Sequence, residues 1–169
     1  MRVRIGNVRD WPFMYALGKL VIPHSISPWR KQPIEETLKY RESILKGFWA
    51  WIQQSGSVVF IAEAPIEEGK PDLEAGKTRS IGYLVLQTSS REELTGVSQG
   101  WIMDLAVLPD WRGKGVGQEL LKATEDYCCE QGIPYLGLAV SSHNVRALHL
   151  YEQFGFAEER KLMVKRLDK

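Results

Sequence analysis

The sequence predicts one α/β domain, of the α+β kind, built on a mixed, mostly antiparallel central sheet. Three observations predict it. Read from hydrophobic pattern and turn signals, the elements come in the order strand, two helices, three strands, helix, strand, helix, strand. The third of the grouped strands passes into its helix through a turn with glycine at 113, 115 and 117. No internal repeat, low-complexity stretch or linker divides the 169 residues, a length that suits one core over 1–169.

Val3, Ile5 and Val8 alternate with polar residues and predict a first strand. Asp10 stands as a helix cap with Pro12 in the first turn, so a helix follows to about Leu20. Residues 22–33 hold three prolines and two serines and read as a loop. From Ile34 a second helix carries Leu38, Ile44, Leu45, Phe48, Trp49 and Ile52 as a broad apolar stripe. Residues 58–62 and 80–87 read as an antiparallel pair of buried strands. The stretch 67–77, with glycine, proline and mixed charge, is the exposed connection between them. Residues 89–96 form a polar break, and 101–108 a third apolar strand stopped by Pro109 and Asp110. The helix after the glycine turn runs to about Gln131, with Gly132 beyond its end and Pro134 after that. Residues 135–140 are a further strand, 144–154 a short helix ended by Gly155, and 156–167 a final strand.

The totals narrow the function classes. With 44% hydrophobic and 25% charged residues the chain is an ordinary soluble globular protein. A net charge of +1 gives no reason to expect nucleic acid or an anionic membrane as partner, because long-range attraction needs an excess of one sign. No apolar run is long enough for a signal peptide or a membrane span. Cys128 and Cys129 are adjacent, which suits neither a disulfide framework nor a zinc site. His24, His143 and His149 have no ligand partner at useful spacing, so no metal is expected. Reduced thiols in the cytoplasm are the plain reading.

The turn at Arg112, Gly113, Lys114, Gly115, Val116 and Gly117 carries chemistry. Glycines let the backbone reach positive φ and let a ligand approach the main chain. The first turn of a helix offers free N–H groups and a partial positive charge, a site suited to phosphate. Arg112 and Lys114 add positive charge beside it. The P-loop pattern fails, because Gly115 rather than Ser or Thr follows Lys114. The dinucleotide pattern fails on its last glycine spacing and on the missing carboxylate near 133–136. A tight strand-to-helix turn without a ligand is the plain alternative.

At these residues the sequence resembles the GNAT superfamily of N-acetyltransferases, whose signature is Arg/Gln-x-x-Gly-x-Gly/Ala after an apolar strand. Here it stands as Leu105 to Leu108, Pro109, Asp110, Trp111 and then Arg112 to Gly117. A second element of the family, an Asn that starts a short helix bearing a Tyr and followed by Gly-Phe, stands as Asn144, Tyr151, Gly155 and Phe156. The resemblance implies six to seven strands flanked by about four helices, with acetyl-coenzyme A as acetyl donor. It implies that the amides of Arg112, Gly113, Lys114, Gly115, Val116 and Gly117 hold the pyrophosphate. Leu105, Ala106 and Val107 would pair with the pantetheine arm, in a gap left where this strand and the one at 135–140 splay apart. Asn144 would contact the cofactor from the far side, and Tyr151 would sit near the sulfur. The acceptor is then an amine-bearing small molecule or protein, and the family admits a homodimer.

Acetyl transfer to an amine needs reactants held in line, a donor for the oxyanion and an acid for the leaving sulfur. A backbone N–H of the 105–107 strand is the expected oxyanion donor and Tyr151 the expected acid; a packed helix aromatic is its plain alternative. Strict alternation puts Trp101, Met103, Leu105 and Val107 on one face and Ile102, Asp104 and Ala106 on the other. Asp104 is the only carboxylate of that strand and a candidate base; Glu63 is another, and a water chain a third. The resemblance implies that the loop between the first helices, which carries His24 and Trp29, borders the acceptor side; an ordinary half-buried aromatic is the plain alternative for Trp29. The acidic cluster at Glu67, Glu68, Asp72 and Glu74 could draw in a cation, although a solvated loop explains it more simply. Two further readings stay open: a coenzyme A-binding regulatory domain without chemistry, and transfer of a longer acyl group.

Overall fold

Strands and helices alternate as expected in the structure, a computed structural model that describes residues 1–66 and 78–167. One sheet holds β1 (Arg2–Ile5), β2 (Val58–Pro65), β3 (Thr78–Arg91), β4 (Ser98–Val107) and β5 (Leu136–Leu138), in that spatial order. The first four are antiparallel neighbours, and β5 lies parallel to β4. The helices are α1 (Trp11–Ser25), α2 (Ile34–Ser55), α3 (Val116–Glu130) and α4 (Val145–Gln153), with short 3-10 turns at Val8–Asp10 and Pro109–Trp111.

Alternate residues of each strand point to opposite faces, and the helices cover both. On one face Phe60, Ala62, Leu84, Leu86 and Ile102 meet Val116, Leu120, Leu121 and Cys128 of α3. On the other, Val59, Ile61, Tyr83, Val85 and Ala106 lie under Met14 and Leu17 of α1 and Ile52 of α2. Glu42 ties the two covering helices together, accepting from Tyr15 at 2.8 Å and from Lys19 at 3.0 Å.

Several expectations are corrected. The sheet has five strands among the described residues, not six to seven. Residues 156–167 form no strand; they leave the core with Leu162 and Met163 exposed. The strand expected over 135–140 pairs only at Leu136–Leu138, opposite Gly100, Trp101 and Ile102. α1 runs past Leu20 to Ser25, so His24 belongs to a helix. Pro23 forgoes its own hydrogen bond to the carbonyl four residues back, and buried Ile22 keeps the turn packed in spite of that loss. β3 and β4 also extend into the polar stretch, with Ser90 opposite Gln99 and Arg91 opposite Ser98, as hairpin arms beyond the core. The stretch 67–77 and its acidic cluster lie outside the described residues.

One irregularity shapes the middle of β4. Val85 faces Asp104 while Leu86 faces Ile102, so Met103 is an extra residue, a β-bulge. The bulge resets the alternation that the sequence implies. Ile102 joins Leu105 and Val107 on the α3 face, and Asp104 and Ala106 alone keep the opposite one.

Candidate active site

β4 and β5 hold each other only as far as Ile102 and Leu138. Beyond the bulge, Met103–Val107 pairs with β3 alone. Its other edge turns backbone amides and carbonyls toward the gap that β5 leaves, since strand residues present these groups alternately to the two sides. Leu105, Ala106 and Val107 therefore stand where two parallel strands part.

The same strand leads directly into the glycine turn. Arg112 closes the 3-10 turn and its Nε donates to the Val107 carbonyl at 3.2 Å, which fixes the turn against the strand end. Gly113 at φ 77° and Gly115 at φ 80° are left-handed, a conformation that costs a residue with a Cβ about 1 kcal/mol. Gly115 is the cap of α3, with no side chain bonded to the amides of the first turn. Among the described residues no partner takes the amides of Gly113, Lys114 or Gly115. Lys114 lies over the Trp111 ring at 5.1 Å, and Arg79 of β3 lies over the same ring at 5.5 Å. A cationic collar so surrounds free amides at a helix start, which is the electrostatic form of an anion site.

α4 is packed against this turn. A Cβ on Gly117 would come within 2.9 Å of the Leu150 Cδ2 methyl, so α3 and α4 meet closely at this glycine. A Cβ on Gly113 would stand 3.6 Å from the Arg146 guanidinium, which puts a further cation at the turn. Asn144 caps α4, accepting from the Ala147 amide at 3.3 Å. Tyr151 sits on the core-facing side of α4, edge-on to Phe156 at 5.7 Å. Burial, and after it the charge of Asp104, push the Tyr151 hydroxyl up to about 12, so it remains a proton donor at neutral pH.

Asp104 accepts a hydrogen bond from the Tyr83 hydroxyl at 2.6 Å. Burial raises its carboxyl above the usual range, and the Tyr83 bond and the positive charge of Arg41 oppose that rise. Tyr83 is itself fully buried, and a Cβ on Gly18 would stand 3.1 Å from its hydroxyl, so α1 closes directly over the pair. Glu63 stands elsewhere. Its carboxylate accepts from Arg2 at 2.8 Å, Arg4 at 2.7 Å and Thr78 at 3.1 Å, which commits it to holding β1. His149 bonds Gln153 on the exposed side of α4, and Trp29 is exposed in the α1–α2 connection.

The structure thus sets the 112–117 turn against α4, whose Tyr151 packs on the same core as Leu105 and Val107 and lies within electrostatic reach of Asp104; Asn144 caps that helix. Sequence reasoning missed Tyr83, Arg146 and the bulge at Met103. Nothing in the flanks of Tyr83 marks it, because its partner lies 21 residues away. Arg146 had a usable signal, a cation in the first turn of the helix that Asn144 opens.

Comparison with known proteins bears on the fold and the motif. The sequence model of the acetyltransferase (GNAT) family matches residues 29–156, well over half of the chain. Streptothricin acetyltransferase of Streptomyces lavendulae is 41% identical over 56 residues, 33% of this chain and 30% of that protein. The matched stretch is well under two thirds of the length of the curated relatives. Among solved structures, the tetramutant of BH1408 protein from Bacillus halodurans has a TM-score of 0.70 at 21% identity, covering 99% of this chain and 100% of its own. AAC(6')-Iy in complex with the bisubstrate analog CoA-S-monomethyl-acetylneamine has a TM-score of 0.61 at 19% identity, covering 99% of this chain and 97% of its own. Both likenesses show a shared fold.

Proposed function

The chain belongs to the acetyltransferase (GNAT) family, and from that membership we propose that it is an N-acetyltransferase moving an acetyl group from acetyl-coenzyme A to a primary amine by direct attack on the thioester. The observation that carries the reading is the parting of β4 from β5 at Ile102 in the strand that runs into the turn of free amides at 113–115. The coenzyme A complex of the structural relative AAC(6')-Iy supports the same donor.

The residues fit the donor on geometry of this chain. Beside Gly113 and Gly115 an added Cβ would meet only the tips of Arg146 and Gln118, at 3.6 and 3.7 Å, so the turn presents open backbone to a pyrophosphate. Arg112, Lys114, Val116 and Gly117 complete that cradle. The β4 edge at Leu105, Ala106 and Val107 offers alternating donors and acceptors to an extended amide-bearing arm. When bound, the donor supplies an activated acetyl group.

What the chain contributes is position and protons. The β4 amides aim at the carbonyl oxygen where negative charge grows during attack. Tyr151, protonated at neutral pH, donates to the departing sulfur. Asp104, held by Tyr83, is oriented to accept the proton that the amine must lose. Asn144 spends its side-chain oxygen on the α4 cap, so its part is to fix that helix start beside the donor. The acceptor is an amine on a small molecule or a protein, and the cytoplasm is the proposed location.

The test is calorimetric titration with acetyl-coenzyme A, followed by thioester consumption with a panel of amines. The wild type binds in the micromolar range and consumes thioester only when an amine is present. An Arg112→Ala, Gly115→Glu variant that melts normally loses both. Binding without consumption by any amine would leave a coenzyme A-binding domain, and no binding by folded wild type would remove the enzyme reading.

A further inference from the structure

The face of α2 that lies on the sheet changes character toward its start. Residues on one face of a helix recur at three, four and seven positions. Leu45 and Ile52 are the buried members of that face. Arg41 stands one turn before Leu45, where the pattern calls for another apolar side chain. Leu45 also fixes where that turn lies. A Cβ on Gly18 of α1 would stand 3.1 Å from the Tyr83 hydroxyl and 3.4 Å from Leu45, so both flank the same point. Tyr83 in turn donates to Asp104 at 2.6 Å. The next turn of α2 therefore brings a guanidinium toward this pair, and its positive charge is felt at the Tyr83 hydroxyl and at the Asp104 carboxyl.

Arg41 is exposed although it lies on the sheet-facing stripe, whereas Asp104 is half-buried. Solvent thus enters between the first turns of α2 and the sheet, with the cation at the mouth and the carboxylate deeper in. The Ser141 hydroxyl, beyond β5, donates to the Ser25 carbonyl at 3.3 Å, which ties the end of α1 to the chain past the β4–β5 gap. The connection that follows α1 carries Arg30 and Lys31, both exposed.

The charge at this mouth is one-sided. Among the described residues no carboxylate forms an ion pair with Arg41. Its neighbour Glu42 is taken by Tyr15 and Lys19. Glu35 and Glu36 fall off the stripe at helical spacing. An acceptor with several ammonium groups would meet like charge here, whereas an anionic group would meet a guanidinium whose paired N–H groups match a carboxylate.

We propose that the acceptor is a small amine that also carries a carboxylate, and that Arg41 is the specificity-determining residue that holds this carboxylate while the amine lies at Asp104. The inference rests on the acetyl-transfer reading and narrows its acceptor.

The test uses matched pairs: glycine, γ-aminobutyrate and ε-aminocaproate, each beside its carboxamide, which keeps the length and the amine and removes the charge. Thioester consumption gives kcat/KM for both members. The wild type prefers the carboxylate by at least about 10-fold at one length, the low end for a charge-assisted hydrogen bond, and the difference lies in KM. Any influence of Arg41 on Asp104 acts on both members of a pair, so their ratio isolates contact with the carboxylate. Arg41→Gln, melting as the wild type does, brings the ratio to about one, and Arg41→Lys, which keeps the charge, restores part of it. Calorimetric titration of the preferred carboxylate into the protein saturated with coenzyme A shows binding that Arg41→Gln weakens by a similar factor. Turnover of amines with a ratio near one at every length overturns this proposal alone, as does a preference that survives Arg41→Gln. Consumption with no amine of any kind sinks the acetyl-transfer reading and the proposal with it.

Discussion

On the proposed reading Tyr151 is the acid and Asp104 the base, and their surroundings push both in directions that suit those roles. Burial raises the Tyr151 hydroxyl, with the Asp104 charge adding to it, so replacing that hydroxyl removes a donor and little else. Tyr151→Phe is expected to lower kcat by about 10²-fold, the low end for loss of a general acid, with the Kd for acetyl-coenzyme A nearly unchanged. Steady-state kinetics beside calorimetry checks it, and an unaltered kcat would return Tyr151 to a packing role. Asp104 is the complementary case. Its carboxyl is raised by burial and pulled back by the Tyr83 hydrogen bond. Removing that bond with Tyr83→Phe raises the carboxyl further, so a larger fraction is neutral at a given pH and cannot accept a proton. The acidic limb of the kcat/KM profile therefore moves to higher pH for any one amine. If Asp104 only holds backbone, the same variant melts lower and the limb stays where it was. An Asp104→Asn background, which has no carboxyl to titrate, must abolish the shift.

At the scale of elements, the functional core follows from local rules that sequence carries. The glycines at 113 and 115 need positive φ, and each adopts it. Asn144 opens a helix, and its side chain caps that helix. Such signals span a few residues, so spacing alone reveals them. The remainder depends on distant neighbours. Met103 bulges because β3 and β4 change register there, and no property of Met103 announces it. That one residue moves Ile102 to the α3 face, and it stands where pairing with β5 ends, so the gap and the change of face at Ile102 share one place in the strand. α1 outlasts its proline because Ile22 finds the core, which is a tertiary contact overriding a local breaker. Residues 156–167 show the reverse: strand composition is present, yet among the described residues the segment pairs with no strand.

Among the described residues β1 and β5 are the two edge strands, and β1 is fastened to the sheet by a network of charges. At the β1 edge, Arg4 donates to Asp10 at 2.6 and 2.9 Å and to Glu63 at 2.7 Å, while Arg2 and Thr78 also donate to Glu63. One guanidinium so binds the first strand to β2 and to the turn that starts α1. The hydrogen bond from Arg4 holds the Asp10 carboxyl below its ordinary range. Burial pushes Glu63 up, but the bonds from Arg4, Arg2 and Thr78 outweigh it and leave Glu63 lowered as well. A carboxyl whose folded pKa is depressed adds stability above its unfolded value, near pH 4, and that contribution is lost as pH falls through the folded value. Arg4→Met keeps much of the side-chain length and leaves two nearly buried carboxylates short of a partner. At neutral pH the variant is expected to be less stable by about 2 kcal/mol, a value below that for a fully buried pair because Arg4 is partly exposed. Urea unfolding at a series of pH values should show that gap closing below about pH 4, as the carboxyls take up protons and cease to need the cation. A gap that stays constant into acid would assign the role of Arg4 to packing of its stem over β2, and the charge network would then fasten nothing.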